Sequence, residues 1–164
     1  MAAPTDRQPG SEGPHGQTRS KAAPALVRLV DTAAREGPAT PREVASHLQA
    51  GKFFWLDVED PGEDELAEFG QSLRLPADTM ESVVHAPARS SFALVADSVR
   101  AVLPAAEHTK PHGAWLESNY VTVVLTERFL FSVHVAPCAP LQRARHQYTA
   151  LDEDARADGH EFCS

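Results

Sequence analysis

The chain has 164 residues, which is long enough for one domain but short for two. Its apolar content of 42% argues against disorder of the whole chain, and its net charge of −8 argues against a nucleic-acid surface, which needs a basic stripe to displace counterions from phosphates. No run approaches the roughly 18 consecutive apolar residues of a membrane helix, and no secretory leader is recognised. A soluble, intracellular chain is expected.

The first segment with a folding signal follows a polar tail. Residues 1–22 are rich in Pro, Gly, Ser and Gln, which predicts a disordered tail. The apolar run that begins at Ala25 predicts a strand at 25–30. Next, Thr40-Pro41-Arg42-Glu43 has the spacing of a capping box with Pro at the first helical position, which predicts a helix at 41–50.

An acid-rich stretch follows this helix. The aromatic and apolar composition after Lys52 predicts a buried strand at 53–58. Asp60, followed by Pro61, has the pattern of an N-cap, which predicts a helix at 61–73. Three apolar residues at helical spacing are expected to face the core: Leu66, Phe69 and Leu73.

A second, shorter helix is predicted at 76–85, and three of its apolar residues are expected to point inward: Met80, Val83 and Val84. The apolar spacing then changes to a period of two, which is typical of strands. Two hairpins are predicted, with strands at 91–95, 98–103, 119–125 and 129–135, and a loop at 104–113 between them. A last helix is expected at 139–150.

These elements predict an α/β fold with a mixed parallel and antiparallel sheet flanked by helices. The early strand-helix-strand order implies a right-handed parallel crossover, and the hairpins imply antiparallel strands later. One folded domain is expected at 23–150. Residues 151–164 are interpreted as an acidic tail or as the start of a further helical region.

The density of carboxylates between Asp57 and Glu68 raises the question of a cation site. Asp57, Gly62 and Glu68 fit three positions of a calcium loop, but Pro61 stands at a ligand position and a strand, not a helix, precedes the stretch. The preferred interpretation is that the acids of the first helical turn complement the helix dipole: Glu63, Asp64 and Glu65.

The histidines do not form a recognisable metal motif. His108 and His112 are four residues apart, but the Pro and Gly around them indicate a loop, and no H-E-x-x-H pattern is present. His85 and His134 are isolated in the sequence.

The cysteines and the absence of a catalytic motif favour a non-enzyme. Cys138 and Cys163 form neither a zinc ribbon nor a disulfide framework and are expected to be free thiols. No phosphate loop, nucleophile elbow or paired catalytic carboxylates are found, so no catalytic residue is assigned.

Taken in order, several separated segments resemble the cytoplasmic amino-terminal domain of CorA-type magnesium transporters. The resemblance covers about residues 50–148. It is carried by Trp55-Leu56-Asp57-Val58, Leu75-Pro76, the short helix with Glu81, Arg89, Leu116-Glu117-Ser118-Asn119, the strands Tyr120 to Leu125 and Phe129 to His134, and the helix with Arg143 and Arg145.

The resemblance implies an α/β/α sandwich that senses intracellular Mg²⁺ and couples it to the gating of a membrane pore. It also implies a place on the cytoplasmic side of the membrane and self-association with other subunits, since the full-length family is pentameric. The family's stalk helix, membrane helices and Gly-Met-Asn motif are not among these residues. A zinc-efflux relative and a stand-alone α/β binding or scaffold module are the alternatives.

One departure from the family concerns its metal site. The family commonly has a Glu-Asp pair on the short helix, followed by Arg-Pro-Lys, and the second acid of the pair belongs to an intersubunit magnesium site. This chain has Glu81-Ser82 and Arg89-Ser90-Ser91 instead. Because Mg²⁺ prefers charged oxygen ligands, only Glu81 is expected to bind it, and weakly. No cofactor is expected to be required for folding.

Overall fold

The computed structural model describes residues 25–85, 89–95, 97–105 and 119–151. Its strands are β1 (Leu26–Asp31), β2 (Glu36–Gly37), β3 (Phe54–Glu59), β4 (Ser91–Val95), β5 (Ser98–Ala105), β6 (Asn119–Leu125) and β7 (Phe129–His134). Its helices are α1 (Pro41–Ala50), α2 (Glu63–Ser72), α3 (Ala77–Val84) and α4 (Ala139–Ala150). The predicted elements are confirmed within two residues at each boundary, while β2 was not predicted.

The strands form one mixed sheet in the order β2-β1-β3-β7-β6-β5-β4. The central pair, β3 and β7, is parallel, and the other neighbours described are antiparallel. The predicted mixed sheet and the two hairpins are therefore confirmed.

The predicted early parallel crossover is wrong, because β1 and β3 are antiparallel. After β1 the chain turns at Asp31, whose carboxylate accepts hydrogen bonds from the backbone N–H groups of Ala33 and Arg35. The chain then runs back along β1 as β2 before it enters α1. This reversal is made by only two paired residues, too few to be recognised from an alternating apolar pattern.

The central strands β3 and β7 are buried on both faces, because successive side chains point to opposite faces and nearly all of them are buried. Phe54, Leu56 and Val58 of β3 pack against α1, α2 and α3. Trp55 of the same strand packs on the opposite face against Tyr148 of α4. The structure is thus three layers, helices on either side of a sheet, and α4 lies alone among the described helices on its face.

Helix α1 begins as predicted. The Thr40 hydroxyl accepts from the Glu43 backbone N–H, and the Glu43 carboxylate accepts from the Thr40 N–H at 2.7 Å, so the capping box is confirmed. The helix ends at Gly51, whose φ of 75° is the left-handed conformation that glycine adopts without a steric cost.

The predicted N-cap of α2 is wrong. Asp60 has a φ of 54°, and its backbone N–H donates to the carbonyl of His134 at 2.8 Å, which holds it at the end of the β3–β7 pair. The helix therefore begins later than predicted, at Glu63, after Gly62 as N-cap. The acids of its first turn lie where the dipole interpretation expects them.

Helix α2 ends in a Schellman motif. The Arg74 N–H donates to the Gln71 carbonyl, the Leu75 N–H donates to the Gly70 carbonyl, and Arg74 has a φ of 57°. Leu75 then packs against the core.

Helix α3 turns one face to the core, and that face is narrower than predicted. Met80 and Val83 contact the core, as expected. Val84 is 37% exposed, so its predicted inward position is wrong. The reason is that a helical residue is rotated by about 100° from its predecessor, so Val83 and Val84 do not share a narrow stripe.

Several expectations fall outside the described residues. These are the tail at 1–22, most of the loop at 104–113, the histidines His108 and His112, Cys163 and the acidic segment after Leu151. In the ranges given above, no helix has the length and apolar composition to cross a bilayer.

Candidate functional site

A buried carboxylate lies at the centre of the sheet. Asp57 lies on the α4 face of β3 together with Trp55, since residues two apart in a strand share a face. Only 1% of its surface is exposed. The parallel register places it beside Ser132 of β7, and His134 lies two residues further along that strand. We refer to Asp57, Ser132, His134 and Arg145 as the Asp57 cluster.

The first part of the cluster is a relay of two hydrogen bonds from neutral donors. The indole Nε1 of Trp55 donates to Ser132 Oγ at 2.9 Å, and that hydroxyl donates to Asp57 Oδ1 at 2.6 Å. Ser132 therefore uses its hydroxyl both as acceptor and as donor. Its donation is directed at the carboxylate, so Ser132 is not set up as a nucleophile activated by His134.

The second part is cationic. His134 Nε2 lies 3.2 Å from Asp57 Oδ1, and its Nδ1 lies 2.7 Å from the carbonyl oxygen of Ala136. Arg145, from α4, donates through Nη1 to Asp57 Oδ2. Both carboxylate oxygens are thus occupied by donors from β7 and α4, which satisfies a charge that would otherwise be costly to bury.

Further charged side chains extend from the cluster across the strands toward the β2 edge of the sheet. Arg145 Nε lies 3.2 Å from Glu36 Oε1 of β2, although this nitrogen has no partner with hydrogen-bond geometry, so we treat the contact as an ion pair. Arg28 of β1 then lies 3.8 Å from Glu36 and 3.9 Å from Glu59. Acids and bases therefore alternate from the buried Asp57 to the partly exposed Glu36.

The pKa values follow from these contacts. Burial alone raises the pKa of Asp57, but hydrogen bonds from His134 and Ser132 and the positive charges of His134 and Arg145 outweigh it and hold the pKa below its usual range. Burial alone lowers the pKa of His134, and the contacts with Asp57 and the Ala136 carbonyl, with the charge of Glu59, outweigh it and raise the pKa. The pair is therefore stabilised in its ionised form.

The cluster is suited to holding elements together rather than to catalysis. All four side chains are buried, and both carboxylate oxygens of Asp57 already accept from protein donors. The cluster joins β3, β7, the β7–α4 turn and α4. Asp57 does not belong to a calcium loop with the acids of α2. Leu56 and Val58 face α2, while Asp57 faces the other side of the sheet.

Sequence reasoning missed this cluster by treating His134 as isolated. The signal that could have found it is the repeat of polar residues two apart inside apolar strands: Trp55-x-Asp57 and Ser132-x-His134. Pairing these two segments requires the parallel register of β3 with β7, which neither segment encodes alone.

An apolar cavity of about 290 Å³ lies next to the cluster, between α4 and the sheet. Trp55 and Ser132 line its inner end, and Val99, Ala101 and Leu103 of β5 line its outer end. On the same face of β4, Phe92 and Leu94 are 69% and 75% exposed. The α4 face is therefore apolar beyond the part that α4 covers.

The predicted metal residue lies elsewhere. Glu81 is exposed on α3, and the neighbouring Ser82 hydroxyl donates to the Asp78 carbonyl at 2.8 Å. In the described ranges, no three His, Cys, Asp or Glu side chains are grouped so that they could hold a metal ion. The Glu81 carboxylate is accessible from solvent, and its metal role stays a prediction.

Comparisons with known proteins find similarity in structure but not in sequence. No protein-family model matches the sequence, and no curated protein matches it. The soluble domain of CorA from Methanocaldococcus jannaschii is similar in structure, with a TM-score of 0.54 and 8% identity over 77% of this chain and 47% of that chain. The ZntB cytoplasmic domain from Vibrio parahaemolyticus has a TM-score of 0.55 and 13% identity over 78% and 50%.

The complete CorA magnesium transporter from Methanocaldococcus jannaschii has a TM-score of 0.50 and 11% identity over 80% of this chain and 38% of that chain. The chain thus spans half or less of the length of the structures it matches. The sequence-based expectation of fold is confirmed at an identity too low for the sequence searches to detect. This chain has the fold of a CorA-like soluble domain.

Proposed function

We propose that this chain is the regulatory domain of a CorA-like divalent-cation transporter. In this role it lies on the cytoplasmic side of a membrane and couples the intracellular level of Mg²⁺ to the gating of a pore formed outside these residues. The supporting observation is the likeness in fold to the CorA soluble domain and to the complete magnesium transporter. No catalytic step is assigned to the chain.

The apolar extension of the α4 face supports a role within a larger assembly. Phe92 and Leu94 project from the edge strand β4, on the face where the cavity opens. Exposed apolar surface that continues from a core is typical of a surface that another protein segment covers. We assign this surface to contact with the rest of a transporter or with neighbouring subunits.

Glu81 is the residue we assign to the metal. It is exposed on a short helix, so an ion bound there stays open to a second carboxylate from a neighbouring subunit. With Ser82 beside it, the site offers a single charge from this chain, and weak Mg²⁺ binding, in the millimolar range, is expected.

The test is a calorimetric titration of the purified chain with MgCl₂ and, separately, with ZnCl₂. Heat with Mg²⁺ that is lost in Glu81→Gln supports the assignment. Glu68→Gln is the matched control, since Glu68 is an exposed helical carboxylate on α2, and it should leave the heat unchanged. Absence of heat from either ion at millimolar concentration would count against the sensor role and favour a binding or scaffold module.

The same titration distinguishes a domain of a magnesium transporter from a domain of a zinc-efflux relative. A stronger response to Zn²⁺ than to Mg²⁺ would assign the chain to the zinc-efflux alternative. Sedimentation velocity at one protein concentration, with and without the responding ion, then tests the proposed subunit contact, which predicts that the ion increases the fraction of larger species.

A further inference from the structure

Both ring nitrogens of His134 face oxygen atoms that can only accept. Nε2 faces the carboxylate of Asp57 at 3.2 Å, and Nδ1 faces the carbonyl of Ala136 at 2.7 Å. A neutral imidazole carries one N–H and one lone pair, so it would direct a lone pair at one of the two oxygens. The imidazolium form donates to both, and the geometry is therefore that of a protonated ring.

The charges around the ring balance only when it is protonated. The acids that face the cluster are Asp57 and Glu59 of β3 and Glu36 of β2, and the bases are Arg145 of α4 and Arg28 of β1. Among the described residues, that is one more acid than base. The proton on His134 supplies the missing positive charge, next to the most deeply buried of the acids.

The two contacts of His134 reach different elements. Ala136 lies in the turn between β7 and α4. Asp57 also accepts a hydrogen bond from Arg145, which lies in the middle of α4. The His134 ring thus contacts the turn that leads into α4. It also contacts the Asp57 carboxylate, which binds Arg145 of α4. Helix α4 also forms one wall of the apolar cavity, so a displacement of α4 would change the shape of that cavity.

We propose that His134 is a proton-dependent latch for helix α4: the doubly protonated ring fastens the β7–α4 turn to the sheet, and loss of one proton loosens the helix and opens the apolar cavity beside it. The inference is independent of the proposed transporter role.

The direction of the pH effect follows from linkage. The pKa of His134 is raised in the folded chain, so its stabilisation is fully present below the unfolded value of about 6.5 and is lost as the pH rises through the folded pKa. Between those two pKa values, the opening equilibrium of α4 is expected to rise up to tenfold per pH unit, the slope of one proton.

The test is hydrogen exchange of the purified chain at several pH values between 6 and 9, read by mass spectrometry. Protection of α4 is expressed relative to α1 of the same chain, which removes the intrinsic rise of exchange rate with pH. The ratio is expected to fall as the pH rises. A ratio that stays constant over this range would overturn the latch.

The variants separate the latch from a purely structural role. His134→Gln does not titrate, so its α4 protection relative to α1 should no longer change with pH. His85→Gln removes an exposed histidine of α3's end and should keep the pH dependence of the parent chain. Retention of the pH dependence in His134→Gln would contradict the proposal.

A direct measurement on the parent chain covers the case in which His134→Gln does not fold. Nitrogen-15 shifts of the imidazole report which ring nitrogens carry protons. Both nitrogens of His134 are expected to be protonated at pH 6 and to titrate above the ordinary histidine pKa. A neutral ring at pH 6 would exclude the latch.

Discussion

At the scale of single residues, the molecule depends on a buried charge that is fully compensated. Asp57 is deep in the sheet and accepts from Ser132, His134 and Arg145. Such a group adds little net stability compared with an apolar residue, but removal of one partner is expensive because the others keep their charges in a medium of low polarity. The cluster should therefore be intolerant of neutral replacements.

Asp57→Asn is expected to lower the free energy of unfolding by about 3–5 kcal/mol, since it leaves Arg145 and His134 buried without a counter-charge. Urea denaturation followed by circular dichroism measures the change. Asp64→Asn, an exposed acid of α2, is the control and should change stability by less than about 1 kcal/mol. Equal effects of the two substitutions would show that the cluster has no special role.

The cluster also shows which features of the structure could not be predicted from the sequence. Phe54, Trp55 and Phe131 are recognisable as core from composition alone, because apolar strands carry that information locally. The partnership of Trp55 with Ser132 spans 77 positions and depends on strand register, a property of the whole sheet. Local pattern identifies the buried strands and leaves their buried polar contacts undetermined.

At the scale of elements, the helix ends differ in whether the residue present favours the backbone conformation that it adopts. The capping box of Thr40 and Glu43 was predictable because all of its atoms lie within one turn. The Schellman motif at the end of α2 was not, since Arg74 occupies a left-handed position that favours glycine. Asp60 likewise has the composition of a cap but is held by a strand contact with His134.

Arg74→Gly is expected to raise the free energy of unfolding by about 0.5–1 kcal/mol, because relief of the left-handed strain exceeds the added flexibility of glycine in the unfolded chain. Thermal and urea unfolding both measure it. Ala67→Gly, at an exposed position in the middle of the same helix, should instead lower stability by about 1 kcal/mol. Destabilisation by Arg74→Gly would argue against strain at this position.

At the scale of the whole molecule, the two edges of the sheet are unequal. The edge strand β2 is two residues long and carries Glu36, whereas β4 has five residues without a charge. Short or charged edge strands resist pairing with other chains, and long uncharged ones invite it. The β4 edge is therefore the expected place of self-association when the chain is studied alone.

Leu94→Lys is expected to reduce concentration-dependent association, because it places a charge on the β4 edge. Val135→Lys is matched to it, since both side chains are 75% exposed, but Val135 lies after the end of β7. Sedimentation velocity over a range of protein concentrations compares the two variants with the parent chain. A similar reduction in both would assign the effect to net charge alone.

The parallel pairing of β3 with β7 also determines the order in which the chain can fold during synthesis. Asp57 and Ser132 are 75 residues apart, so β3 leaves the ribosome well before its central neighbour exists. At typical synthesis rates of about 5–20 residues per second, that interval lasts roughly 4–15 s. The apolar strand Phe54–Glu59 is without β7 throughout it. A nascent chain at this stage is the form most exposed to chaperones and to aggregation.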